Sequence, residues 1–364
     1  LNPARRQLLA GALALGLAPR ALAAGKPPGQ LATLARWASS DRNLVPASLS
    51  EGKLLFAGER TLGMLDPAAS TLPWQVAHSI AGGARFRPRG HDGIVLCGGR
   101  TEIAAWRPGE QQALWRYRAV DQIGTPCLAG RLACFGDGHK LLAVDLESGR
   151  ILWRFAAIAD TRISYAPVVA GETLFVGPGD GRLYALSLAD GQLRWQVDRM
   201  REWQYLRQLH VDGTTLVAGS YKEKLYGLDT GNGQQRWEFS AGNFINSQHV
   251  ANGLACLWSP TGLVYAIDTA SGKIRWRHRT NDYRGGVHNW GALMAELVSN
   301  DKEVHALDLN NVLHVLARDD GRALADLKLP EPVRPFVTLL GDRRLICAGN
   351  SGDLLLLEMP PLSA

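Results

Sequence analysis

Adjacent cysteines are absent from this chain, as are a C-x-x-C-H haem-attachment site, an H-E-x-x-H or H-x-x-x-H pair, a G-x-S-x-G elbow and a phosphate-cradling glycine loop. These gaps argue against c-type haem, a helical zinc site, an α/β-hydrolase nucleophile and nucleotide hydrolysis. Low-complexity tracts and long like-charge runs are also missing, so the composition, 46% hydrophobic and 20% charged, is that of a folded globular protein. The apolar run from Leu8 to Ala18 is too short for a stable bilayer anchor.

What is present at the N-terminus has the order of an export signal. Arg5 and Arg6 precede that apolar run, and Ala21-Leu22-Ala23 supplies the small residues a signal peptidase requires. The reading is a cleaved signal over 1–23, a short linker over 24–30 and a folded unit over 31–364. "ARRQLL" fits either twin-arginine or general secretory export; both lead to the periplasm. Loss of Arg5, Arg6 and Arg20 lowers the net charge from +6 to +3, which removes most of the case for a nucleic-acid partner.

The body of the chain repeats. "LLAVDLESGRILWRF", "LYALSLADGQLRWQV", "LYGLDTGNGQQRWEF" and "VYAIDTASGKIRWRH" place Trp153, Trp195, Trp237 and Trp276 at intervals of 42, 42 and 39 residues. Weaker copies carry Trp115, Trp74 and Trp37 upstream, and "VLHVLARDDGRALADL" downstream has Ala325 where the tryptophan would stand. Alternating strands at a period near forty predict β-propeller blades. The segment 333–359 supplies three strands of a last blade, and the strand around Trp37 supplies the fourth. The expected fold is therefore all-β: one eight-bladed propeller of four-stranded antiparallel blades, closed by pairing the N-terminal strand with the C-terminal blade. Closure removes the exposed sheet edges that invite aggregation.

Within each complete unit a small residue, an aspartate and a glycine precede the tryptophan by ten, eight and four positions: Ala143, Asp145, Gly149 and Trp153, or Ala266, Asp268, Gly272 and Trp276. With Trp195, Asp229 and Trp237 these are assigned to docking. The glycine permits a tight turn, the aspartate accepts from turn amides, and the small residue leaves room for an indole between blades.

These A-x-D-x-x-x-G-x-x-x-W units resemble the repeats of the pyrroloquinoline-quinone-like propeller superfamily, which includes quinoprotein alcohol dehydrogenases and BamB, the accessory lipoprotein of outer-membrane β-barrel assembly. The resemblance implies one of two functions. Dehydrogenases of this kind hold calcium with acidic and amide side chains, use an aspartate base and often carry a vicinal disulfide; no adjacent cysteines occur here, and most acids fall in turns. BamB-like proteins are scaffolds anchored by a lipidated cysteine after the signal, which "ALAAGK" lacks. The leading expectation is a non-catalytic, soluble, monomeric periplasmic scaffold, with neither lipid anchor nor cofactor, that holds a periplasmic or outer-membrane protein partner or an anionic ligand. Pyrroloquinoline quinone with calcium, in a reduced quinoprotein, is the alternative.

Candidate binding residues lie in the segments that lead into each blade's inner strand, where propeller loops converge on the channel. They are Arg162, Tyr165, Trp203, Tyr205, Arg207, Gln208, Asn246, Gln248, Arg284, His288, Asn289, Trp290 and Arg334, rich in the residue types of interface hot spots. "ARFRPR" adds Arg85, Arg87 and Arg89 at alternate positions, as if on one side of a strand. No catalytic or metal-ligating set is assigned. Cys97, Cys134, Cys256 and Cys347 read as small buried hydrophobes, and "CLAGRLAC" could set Cys127 opposite Cys134 across a hairpin, close enough for a disulfide.

Overall fold

The computed structural model describes residues 29–362 except 40, 158–160, 179–180, 200–205, 221–222, 243–244, 246, 259–261, 281–295 and 309, together with the side chains of 206, 207 and 220. The expected signal over 1–23 lies outside the described residues. Seven of the eight sheets follow one another along the chain, each built on four consecutive antiparallel strands in spatial order. Blades 1 to 7 span 48–77, 89–118, 127–156, 168–198, 206–240, 247–279 and 297–328. Blade 8 joins Thr338–Leu340, Arg344–Ala348 and Leu354–Glu358 to Ala32–Trp37, which pairs antiparallel with the last of them. The ring is closed from both ends of the chain, as the repeat count requires.

Burial explains the strand order. The second and third strands of each blade are buried on both faces and read as unbroken apolar runs, such as Ile94–Gly98 and Leu254–Trp258. The outer strands alternate, as in Ile274–Arg279, because only one face meets a neighbouring blade. Cys97, Cys134, Cys256 and Cys347 all sit in second strands and are buried. Burial pushes the Cys97, Cys256 and Cys347 thiols up to about 12, so these three behave as small hydrophobes.

Docking between blades is more directional than the repeat alone implies. Each motif aspartate accepts from turn amides, Asp145 from Ser148 at 2.8 Å and Asp268 from Ser271 at 2.9 Å. The small residue faces the tryptophan of its own blade: Ala143 is in register with Trp153, and a Cβ at Gly227 would lie 2.0 Å from the Trp237 ring. The motif glycine instead receives the tryptophan of the preceding blade. A Cβ would come within 2.5 Å of Trp115 at Gly149, 2.6 Å of Trp237 at Gly272 and 2.5 Å of Trp276 at Gly321. Each indole then donates to a carbonyl of that next blade, Trp153 Nε1 to Leu188 O at 3.0 Å, Trp237 to Thr269 O at 2.9 Å and Trp276 to Arg318 O at 2.7 Å.

This chain of contacts explains why blade 7 keeps Gly321 although Val315, Ala317 and Ala325 replace its small residue, aspartate and tryptophan. Gly321 serves Trp276 of blade 6. The missing tryptophan affects only the seam between blades 7 and 8, and there the two ends of the chain fill the space. Leu31 and Met359 are buried in that cluster with Leu327 and Val315. Gly29 and Gln30, which the sequence places in a linker, form a fifth strand parallel to Ala323–Lys328. Two residues pairing through backbone alone leave no side-chain pattern to read.

Candidate ligand-binding channel

The first strands of neighbouring blades approach one another, in series through blades 1 to 3 and 4 to 8, and side chains of blades 2 to 6 face a common channel. A cavity of about 590 Å³ opens there among blades 2 to 6. Its polar lining comes from Arg89, Thr125, Tyr165, Gln208 and His210, with the Cys127 thiol beside them, and its apolar wall includes Leu128, Val168 and Val250.

Of the residues singled out in sequence, Tyr165 and Gln208 meet in this cavity, Tyr165 partly buried and Gln208 exposed. Gln248 is partly buried and packs against Gly219, where a Cβ would lie 2.3 Å from its amide, and its buried Oε1 has no partner among the described residues. Arg162 lies elsewhere, exposed and donating from Nε to Asp121 at 2.7 Å, and that bond holds the Asp121 carboxyl below its ordinary range. Arg334 reaches Asn43 Oδ1 at 3.4 Å while its Nε is buried without a partner among the described residues. Trp203, Tyr205, Asn246, Arg284, His288, Asn289 and Trp290 lie outside the described residues, as does the side chain of Arg207.

The three alternating arginines do not share one environment. Arg85 is exposed. Arg87 forms an ion pair with Glu296, on the segment entering blade 7, and the other Glu296 oxygen accepts from the Val337 amide at 2.9 Å. Arg89 opens the inner strand Arg89–His91 and turns into the cavity. Only this last residue is in a strand: Pro88 interrupts the alternation just before it. Burial presses the Arg89 guanidinium pKa down and the neighbouring Arg87 charge adds to the effect, yet an arginine keeps its proton under any ordinary condition.

Sequence reasoning passed over the channel histidines. His210 lines the cavity from Leu206–Asp212, and burial with His249 nearby pushes it down to about 4, so the ring is neutral near pH 7. Its Nε2 is buried with no partner among the described residues. His249 Nε2 lies 3.0 Å from Ser299 Oγ, tying the inner strands of blades 6 and 7 together. A histidine in an alternating inner strand, as in "LRQLHVD", was the available signal. Cys127 and Cys134 are direct cross-strand partners, as the hairpin reading requires, and both are free thiols in this structure. The hydrogen bond of the Cys134 thiol to Cys127, reinforced by burial, pushes Cys134 well above the usual thiol range.

A second polar cluster was also missed. His314, in the third strand of blade 7, sits between Asp326 Oδ1 at 2.7 Å and Asp308 Oδ2 at 3.3 Å, and its ring meets Trp258 edge-on at 6.1 Å. Blades 4 to 6 have Tyr184, Tyr226 and Tyr265 at the equivalent position. Among the described residues, no group of three or more His, Cys, Asp or Glu side chains is placed to hold a metal ion.

Comparison with known proteins sets this geometry in a family. A family model described as outer membrane protein assembly factor BamB matches residues 58–202 and 199–335. Among solved structures, BamB from Moraxella catarrhalis aligns at a TM-score of 0.69 with 16% identity, covering 90% of this chain and 100% of that one. The computationally designed Ika8 protein gives 0.75 at 14%, covering 91% of this chain and 100% of that one, and Saccharomyces cerevisiae Sqt1 gives 0.74 at 12%, covering 92% and 100%. At such identities these structures show the fold alone, and no curated protein matches the sequence. The family model covers most of the ring, and the chain therefore belongs to the PQQ_2 family, that of outer membrane protein assembly factor BamB.

Proposed function

We propose that this protein is a non-catalytic binding propeller of the periplasm that holds a protein partner, or an anionic ligand, on its channel face and serves outer membrane protein assembly. Family membership supports the setting. The observation that carries the binding reading is the convergence of Tyr165, Gln208 and Arg89 on one channel cavity, from three different blades. Arginine and tyrosine dominate interface hot spots because each presents a large contact area with a polar tip.

Recovery of partners from a solubilised envelope extract tests the face. Arg207→Ala and Trp290→Ala are each expected to lower recovery of an outer membrane assembly component by about tenfold or more, the effect of losing one hot-spot side chain. Equal recovery by wild type and both variants would count against it.

This role needs no cofactor. Titration with pyrroloquinoline quinone and calcium is accordingly expected to leave tryptophan fluorescence unchanged and to support no dye reduction. A saturable fluorescence change with dye reduction would instead establish the quinoprotein reading.

A further inference from the structure

We infer that the channel cavity around Arg89 is a specific site for a small organic monocarboxylate, whose charged end pairs with the Arg89 guanidinium and whose apolar body lies against Leu128, Val168 and Val250. The inference deepens the binding reading above and rests on the channel being a binding face.

Charge accounting within the channel leads to this assignment. Two arginines approach each other there, and one carboxylate is spent on the first: Glu296 pairs with Arg87. Arg89 makes no ion pair or hydrogen bond with any described residue, and its Nε is buried. Withdrawing a cation even partly from water without a counter-charge has a cost, and a guanidinium cannot escape it by losing its proton. Other buried charges of this protein do find partners, as His314 does between Asp308 and Asp326. Arg318 and Arg334 also bury an unpartnered Nε, but they bond backbone carbonyls and Asn43, whereas Arg89 faces open space.

The lining defines the missing partner. Among the described residues no aspartate or glutamate lines the cavity and Arg89 is the one charged side chain there, so a single negative charge matches it. Planar guanidinium favours a carboxylate, which can accept two parallel hydrogen bonds. Tyr165 and Gln208 offer further donors. A volume of about 590 Å³, walled partly by aliphatic side chains, falls within the range of small-molecule sites and exceeds what a bare inorganic ion fills.

The test uses purified full-length mature protein and thermal unfolding at fixed ionic strength. Butyrate, hexanoate and benzoate are compared with their uncharged amides and with inorganic phosphate. The acids are expected to raise the unfolding midpoint in a saturable way, as a ligand bound only to the native state must, while amides and phosphate do not. Arg89→Gln is expected to abolish the response and to raise the ligand-free midpoint, because it removes a charge without a partner. A purely structural arginine would give the opposite sign in the second measurement.

Amides as effective as acids, phosphate as effective as acids, or an undiminished response in Arg89→Gln would each overturn the assignment. No response to any acid would overturn it too. In that last case partner recovery through Arg207 and Trp290 could still be intact, so the failure of this inference is distinguishable from that of the wider reading.

Discussion

Replacing His314 with alanine is expected to lower the unfolding free energy by about 3 kcal/mol at pH 6, the lower end of the range for breaking a buried ion pair. His314 is almost completely buried between two carboxylates. Burial alone would discharge it, but the hydrogen bonds it donates to Asp308 and then Asp326 more than offset that effect and raise the imidazole to about 9. Its removal strands Asp308, which is fully buried, though that carboxylate keeps the amides of Asn310 at 2.8 Å and Val312 at 2.9 Å. Asp326 is half exposed and regains water. Those two compensations place the cost low in the range.

The pH dependence fixes the mechanism. A folded-state value of about 9 lies above the ordinary 6.5, so the contribution is complete below pH 6.5 and is lost as pH rises through 9. Asp308 and Asp326 are shifted down, so their share is present above about pH 4 and fades as pH falls below it. The difference between wild type and His314→Ala should be greatest near pH 5 to 6 and small above pH 10. Urea unfolding of both proteins measures it, and the other buried histidines cancel in the difference. A constant difference from pH 6 to pH 10 would mean the ring is neutral and the ion pair does not exist.

What could be read in advance followed the backbone. Trp153, Trp195, Trp237 and Trp276 recur because every blade must meet the next in the same way, and a repeated physical problem leaves a repeated solution in the sequence. The turn roles of Asp145 and Asp268 were legible for the same reason, and so was ring closure through Ala32–Trp37. Side chains that occur once have no such echo. His314 stands alone in "VLHVLA", and its partner Asp326 is twelve residues away, opposite it only once the strands pair. Arg89 looked equivalent to Arg85 and Arg87; Pro88 and the distant Glu296 make the three different. The site is thus harder to read than the scaffold because its geometry comes from blades that are far apart in sequence.

The pairing of each tryptophan with the glycine of the following blade predicts a strong non-additivity. Trp237→Ala is expected to cost about 3–5 kcal/mol, through the cavity left by a large buried side chain and the lost bond to Thr269. Gly272→Ala should cost about 2–4 kcal/mol for two separable reasons. Its φ of +71° disfavours a side chain by roughly 1 kcal/mol, and the new methyl would lie 2.6 Å from indole carbons of Trp237, an overpacking worth about 1–3 kcal/mol. Gly213, with φ of +57° and nothing within 4 Å of an added Cβ, isolates the first term, so Gly213→Ala should cost only about 1 kcal/mol. In the double variant the indole is gone, and Gly272→Ala should then cost no more than Gly213→Ala does. The coupling between the two sites is therefore expected to be about 1–3 kcal/mol in urea unfolding. Strict additivity would show that the blades are not held by this contact and that the tryptophan stabilises only its own sheet.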